Sequence, residues 1–455
     1  VCAVGGAWLN GMCSGCTPLM LSVVLTAILG AFPLIFVRCK EQINAKEGYC
    51  IVTGAWLLAC LVGTFPYLLY GGEFNFINAW FESVSGFTTT GSTILTNVEA
   101  LPDGLLFWRS LTHWIGGVGV VLFALMILPS LGQTRTTLYS VELSSFAKDN
   151  FHFQTQKIIR VLLTVYIGLT ACCTVLLKIV GMDWFDAVNH SFASIATGGF
   201  STKNASIAEY DNFGIEAILT LFCFLSGLHF GLIYSTFTGS RNNIFRSDVA
   251  RYYFLFTAAC SIALAINLWG EDIYSSFWEA LRHGTFQAVT IITTTGFATA
   301  DTTIWPPFAM VVLFLCTLHG ACAGSTAGGI KSDRVLLSFK MTSNRMRKQR
   351  HPNAVLRIRL NGVAQEDATV NFAMLFIVMY MLTLINTACG GYFLTSRAAA
   401  TTCIGNVGPG FGEGGSMSNF GAMPDVMKIS SSALMLLVRL EIFGLIQLFL
   451  IKWWV

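Results

Sequence analysis

Apolar residues in this chain fall in long unbroken runs. They do not alternate one in two like a half-buried strand, nor stripe one face of a helix. Runs of about 20 residues, enough to cross ~30 Å of hydrocarbon as a helix, lie near 18–37, 49–70, 105–131, 158–180, 213–238, 252–269, 370–390 and 430–455. A ninth, at 307–319, continues past a break. Between the runs lie four segments of a different kind: 71–104, 181–212, 270–306 and 391–428. Each pairs a short apolar piece with a cluster of Gly and Thr.

The four short pieces read FINAWFESVSGFTTTGST (76–93), WFDAVNHSFASIATGGFST (184–202), FWEALRHGTFQAVTIITTTGFATAD (277–301) and YFLTSRAAATTCIGNVGPGFG (392–412). Aligned, they place Gly91, Gly198, Gly296 and Gly408 in register and divide residues 48–455 into four comparable units. The short pieces predict half-helices of roughly 8–15 residues, too short to span. Broken backbone at membrane depth is tolerated only where it is buried in protein or lines a watery cavity. A half-helix entering from outside aims a C-terminus of about half a negative charge inward. Extended Thr-Gly stretches after four such ends predict rings of carbonyls that replace a cation's hydration shell. In this expectation the Gly takes the positive φ that β-branched Thr resists. One Gly per loop, without TVGYG, predicts fewer rings and looser selectivity than in potassium channels.

The third unit carries a second irregularity. After the apolar 308–319 comes Gly320-Ala321-Cys322-Ala323-Gly324-Ser325-Thr326-Ala327-Gly328-Gly329-Ile330-Lys331, a poor helix former. It predicts either an intramembrane loop or close helix packing through small residues. GSTAGGIKS resembles a phosphate-binding loop, but Ile330 separates Gly329 from Lys331 and no strand precedes it. Arg439 lies deep in the last run, where charge is costly and usually functional. It reads as a functional charge, with a structural ion pair as the other option. Glu441 is close in sequence but points about 200° away on a helix.

Charge fixes the orientation. Only 11% of residues are charged and 54% are hydrophobic, against about 25% charged in a soluble protein. Segments 38–47, 132–160, 239–251 and 331–359 hold 19 of the 27 basic residues, nine of them in the last. They form the cytoplasmic face by the positive-inside rule. Arg109, Lys178, Lys203, Arg282, Arg397 and Lys428 fall on the other side. Acidic residues there (Glu73, Glu99, Asp183, Glu209, Asp211, Glu271 and Asp272) predict a cation-concentrating vestibule, or ordinary solvated loop charge. A net charge of +3 favours no nucleic acid. Most of the fourteen cysteines sit in apolar runs and behave as small hydrophobes. The one CxxC, Cys13–Cys16, reads as small helix residues and not as a zinc site. His190, His229 and His319 read as packing or hydrogen-bonding residues. Residues 1–16, opening on Val1, are too short to span, and a preceding piece of chain is expected.

Several long motifs in order resemble the Trk/Ktr/HKT superfamily of cation transporters: KEGYCIV (46–52), FESVSGFTTTGST (81–93), HSFASIATGGFST (190–202), TTTGF (293–297), GACAGSTAGGIK (320–331), NVGPGFGE (406–413) and RLEIF (439–443). The extra run at 18–37 is similar to the TrkH type. The resemblance implies potassium uptake across the bacterial cytoplasmic (inner) membrane. It implies filter carbonyls on Thr89, Thr90, Ala196, Thr197, Thr294, Thr295, Asn406 and Val407. Gly91, where sodium-preferring members carry Ser, implies potassium. Gly405 stands where Asn is common. Gly324, Ser325, Thr326, Gly328, Gly329 and Lys331 would form a gate under the filter, with Arg439 beside it as an electrostatic barrier to cations. A homodimer and a cytosolic nucleotide-binding ring of RCK (TrkA) type are the implied partners.

The expectation is an all-α integral membrane protein of four pseudo-symmetric helix–pore-loop–helix repeats around one pore: 46–135, 136–245, 246–350 and 351–455, after an extra N-terminal segment, 1–45. It carries no catalytic constellation and no organic cofactor, and potassium is its cargo. The alternative is a secondary transporter coupling potassium to protons or sodium, with Glu441 and Glu216 the candidate relays. A receptor or scaffold without flux is a more distant option.

Overall fold

A computed structural model describes residues 16–36, 45–132, 145–239, 243–353, 356–387, 393–409, 415–416 and 418–440. The sequence positions Cys13, the end of the NVGPGFGE motif, Glu441 and the tail of the last run lie outside them.

Helix follows helix along the chain. After α1 (Cys16–Phe36) come α2 (Ala45–Gly63), α3 (Phe65–Tyr70), α4 (Phe76–Phe87) and α5 (Asp103–Gly132). Then follow α6 (Ser145–Ile179), α7 (Trp184–Ile195), α8 (Phe213–Ser226) and α9 (Phe230–Phe237). The next set is α10 (Asp248–Gly270), α11 (Phe277–Ile292), α12 (Pro307–Leu318) and α13 (Ser332–Arg350). Last come α14 (Asp367–Thr387), α15 (Phe393–Gly405) and α16 (Asp425–Arg439). Among the described residues, Cys50–Tyr70, Ile159–Ile179 and Asp248–Gly270 are long and apolar enough to cross a membrane. Their outward faces carry large apolar side chains, such as Ile51, Ile167 and Ile262, all more than half exposed. That surface suits lipid.

Contacts between elements run in a ring. The short helices α4, α7, α11 and α15 each pack on the preceding long helix: α2, α6, α10 and α14. Each also packs on a helix of the neighbouring group: α4 on α16, α7 on α5, α11 on α8 and α15 on α12. Polar side chains cap the starts of α4 and α11. The Asn75 side chain accepts from the Asn78 N–H at 2.8 Å, and Ser276 accepts from Trp278. Such caps satisfy donors that a helix start leaves orphaned.

Two departures from the sequence reading stand out. The apolar run at 213–238 is not one straight helix: α8 and α9 meet at 103°. The break falls at Gly227-Leu228-His229, where the His229 Nδ1 accepts from the Gly231 N–H at 3.0 Å and caps α9. The chain also carries one small hairpin, β1 (Arg359–Leu360) with β2 (Val363–Ala364), paired Arg359↔Ala364 and Leu360↔Val363. Its turn is Asn361-Gly362, both at positive φ (51° and 80°), as two-residue hairpins favour. Asn361 Oδ1 accepts from the Asp248 N–H at 2.7 Å, fastening the hairpin to the start of α10.

Candidate functional site

The short helices end in a common backbone motif. At the end of α4, the Thr90 N–H donates to Ser85 O and the Thr89 N–H to Gly86 O. Gly198 and Thr197 repeat this with Ala193 and Ser194, Thr295 and Thr294 with Thr290 and Ile291, and Val407 and Asn406 with Thr402 and Cys403. This pair of six-to-one and five-to-two bonds is a Schellman closure, which needs a left-handed residue just past the helix. Those residues are Thr89 (φ 53°), Thr197 (φ 55°), Thr294 (φ 57°) and Asn406 (φ 55°). Three are therefore β-branched threonines in a region that suits Gly or Asn. The expectation that Gly alone would take the positive φ is corrected: Thr takes the first left-handed position and Gly a second, two residues on.

The glycine at the second left-handed position of each loop is Gly91 (φ 83°), Gly199 (φ 80°), Gly296 (φ 80°) or Gly408 (φ 90°). In the second loop this is one residue later than the sequence alignment, which put Gly198 in register. Ala196 is the right-handed C-cap there, matching Thr88 and Thr293. The residues matching Thr89 and Thr90 are thus Thr197 and Gly198, and Ala196 falls outside the pair. Gly198 has its own reason for lacking a side chain. A Cβ there would lie 2.4 Å from the His113 ring, which is held by Gly86 O at 3.0 Å.

The four loops close on one another through these glycines. A Cβ on Gly91 would lie 2.1 Å from the Gly198 carbonyl oxygen. On Gly199 it would lie 1.9 Å from Thr295 O, on Gly296 2.0 Å from Val407 O, and on Gly408 2.6 Å from Thr90 O. Each glycine thus abuts the carbonyl of the next loop, from first to second, third, fourth and back to first. Side chains add to the last joint: Asn406 Nδ2 donates to Thr88 O at 3.1 Å and Thr90 Oγ1 to Asn406 Oδ1 at 3.2 Å.

Above the ring lies a polar cavity of about 140 Å³. Gly91, Gly199, Gly296 and Gly408 form its floor, and hydroxyls, Asn side chains, Arg109 and Lys203 line its wall. None of its described lining residues is acidic. The outer carboxylates serve local structure instead. Glu73 accepts from Thr96, Glu99 from the Asn204 N–H, and Asp211 pairs with Arg282 at 3.3 Å.

Behind the first loop sits an ion pair that the sequence reading missed. Arg109 Nε donates to Glu82 Oε1 at 2.8 Å, and both side chains are buried. Glu82 Oε2 accepts from the Ile94 N–H at 3.1 Å, and the Arg109 guanidinium lies 4.0 Å from the Phe200 ring centroid. The pair ties the segment after Gly91 to the second loop. Its only signal in sequence is a Glu inside an apolar half-helix.

Segment 320–331 is a loop pinched at its base. His319 and Ile330 form a parallel bridge, and the Gly320 N–H donates to Ile330 O at 2.7 Å. The loop is fastened into the α8–α9 bend: the Cys322 N–H donates to Gly227 O and the Phe230 N–H to Gly324 O. It then reaches the inner ends of the short helices. Thr326 Oγ1 donates to Ile195 O at 3.1 Å, and the Gly328 N–H to Thr294 Oγ1 at 2.8 Å. The Lys331 ammonium donates to Ala327 O. Arg439 Nη1 donates to Thr326 O at 2.8 Å. Arg439 is 5% exposed, and its Nε and Nη2 have no hydrogen-bond partner among the described residues. Ser325 Oγ donates back to Cys322 O, and Gly329 takes a positive φ of 66°. The histidines are hydrogen-bonded: His190 to Asp186 O and Ser201, and His319 to Tyr252.

The family model described as TrkH, cation transport protein, matches residues 18–453. The Trk system potassium uptake protein TrkH of Halomonas elongata is 33% identical over 443 residues, 95% of this chain and 91% of its own. That of Escherichia coli K12 is 36% identical over 426 residues, 91% of this chain and 87% of its own. The crystal structure of the potassium transporter TrkH from Vibrio parahaemolyticus superposes with a TM-score of 0.90 at 29% identity, covering all of this chain and 95% of that one. With the family match spanning nearly its whole length, this chain belongs to the TrkH family of cation transport proteins.

Proposed function

We propose that the chain takes up potassium across the bacterial cytoplasmic membrane through a channel-like pore, one per chain, formed by four helix–pore-loop–helix repeats. The observation that carries this reading is the closed ring of glycine-to-carbonyl contacts. It sits at the C-termini of four inward-aimed short helices, where the helix dipoles favour a cation. The filter carbonyls in this reading are those of Thr89 and Thr90, Thr197 and Gly198, Thr294 and Thr295, and Asn406 and Val407. Gly91, Gly199, Gly296 and Gly408 shape them. The repeats keep the boundaries 46–135, 136–245, 246–350 and 351–455.

Loop 320–331 is the gate in this reading, because it touches the ring from below, and the Arg439 charge bars cations while the loop is in place. Exposed Arg345, Arg347, Lys348, Arg350, Arg357 and Arg359 at the end of α13 and at the start of the hairpin offer a docking face for an acidic surface of a cytosolic nucleotide-binding ring. The functional unit is a homodimer.

Coupling to protons or sodium would need a carboxylate on the ion path. Glu216 is paired with Arg282, whose Nε donates to its Oε2 at 2.6 Å, which disfavours it as a free relay. Glu441 lies outside the described residues. Rubidium uptake into proteoliposomes is the test. Uptake without a proton or sodium gradient supports the channel, and uptake that requires either gradient refutes it.

A further inference from the structure

The four left-handed residues at the helix ends differ in what their side chains hold. Thr197 Oγ1 turns back to Ala196 O at 2.6 Å. Asn406 reaches sideways to Thr88 and Thr90. Thr89 Oγ1 is buried and has no hydrogen-bond partner among the described residues. Thr294 alone among the four bonds to loop 320–331, accepting the Gly328 N–H at 2.8 Å. The loop backbone is wedged at that point. A Cβ on Gly328 would lie 2.7 Å from Asn406 Cβ and 2.9 Å from Gly405 O. One short stretch of loop therefore touches both the third and the fourth strands of the ring.

We propose that Thr294 is a positioning residue whose hydroxyl couples the loop to the third strand of the ring. This rests on the filter and gate reading above. While the loop lies beneath the ring, the Gly328 N–H fixes the Thr294 side chain, and with it a strained left-handed backbone whose carbonyl faces the ion path. When the loop leaves, the hydroxyl loses its donor and that strand is released, so loop position and ring geometry change together. Such coupling is reciprocal: an ion held by the third strand biases the loop as much as the loop biases the strand. The other three strands lack this side-chain tie, so the coupling enters the ring at one side.

The test uses the purified full chain in proteoliposomes, with two readouts: resting rubidium flux, and amide hydrogen exchange of segment 326–331. Thr294→Val keeps the shape and removes the acceptor. It should raise resting flux about fivefold, the population shift expected from one net hydrogen bond. It should also speed exchange of the loop by a similar factor. Thr294→Ser, which keeps the hydroxyl, should move both readouts back towards wild type. Thr89→Val, the same change where no bond exists, should leave loop exchange at its wild-type rate. If Thr294→Val does not fold, Thr294→Ala carries the same expectations. Loop exchange unchanged in the Thr294 variants, or accelerated equally by Thr89→Val, overturns the coupling. Failure of the filter reading is seen separately, as an unchanged potassium-to-sodium flux ratio in Gly91→Ser.

Discussion

Replacing Gly91 by serine places a side chain where the ring has no room. Its Cβ would start 2.1 Å from the Gly198 carbonyl oxygen, and real Cβ contacts stay beyond 3.0 Å, so the first and second loops must part by about 0.9 Å. The obstacle is backbone and cannot swing aside. The residue also sits at φ 83°, where an L side chain costs roughly 1–2 kcal/mol. If the strain is relieved by drawing the Gly198 oxygen off the ion, potassium loses about that much binding relative to a cation that does not need the whole ring. The potassium-to-sodium flux ratio should then fall about five- to thirtyfold. Rubidium and sodium uptake into the same proteoliposomes measures it. Gly168→Ser, in open space within α6, is the control. A ratio within about twofold of wild type, in a variant that purifies like wild type, refutes both the ring geometry and its assignment as the filter.

Three further outcomes are expected. Gly199→Ala should abolish flux, because its Cβ meets the Thr295 carbonyl. Gly198→Ala meets first the His113 ring, so pairing it with His113→Ala should restore part of the flux, whereas His113→Ala should not rescue Gly199→Ala. Arg439→Ala removes a buried charge bonded to Thr326 O and should raise resting cation flux; unchanged or lower flux in a folded variant counts against the barrier role. Glu82→Ala leaves Arg109 buried without its carboxylate and should cost about 3–5 kcal/mol. Lys340→Ala breaks the part-exposed pair with Asp248 and should cost under ~1 kcal/mol. Thermal unfolding in detergent compares the two, and equal losses would refute the weight given to the buried pair.

Much of this was legible in the sequence because lipid imposes a coarse rule. Long apolar runs and short apolar pieces followed by Thr and Gly mark helices and half-helices by length alone. What stayed hidden depends on contacts between segments far apart. The left-handed threonines could not be read, since propensity argues against a β-branched residue at positive φ and only the helix closure forces it. The register of the second loop was ambiguous because Gly198 and Gly199 are adjacent. Their separate reasons, His113 and the Thr295 carbonyl, come from other units. The bend at Gly227-Leu228-His229 was invisible in an unbroken apolar run, because it exists to receive loop 320–331. Arg109 looked like an outer-face charge until Glu82 was found beside it.

The closure of the ring also bears on how the protein is made. The fourth loop meets the first through Asn406 and Thr90, 316 residues apart in the chain. At a synthesis rate of about 5–20 residues per second, the first loop waits roughly 15–60 s for the partner that completes it. Until then Gly91 and its neighbours face an open side that the fourth loop later covers. A nascent chain stalled anywhere before the fourth loop therefore carries an unfinished seam, a feature by which membrane quality control could tell an incomplete molecule from a finished one.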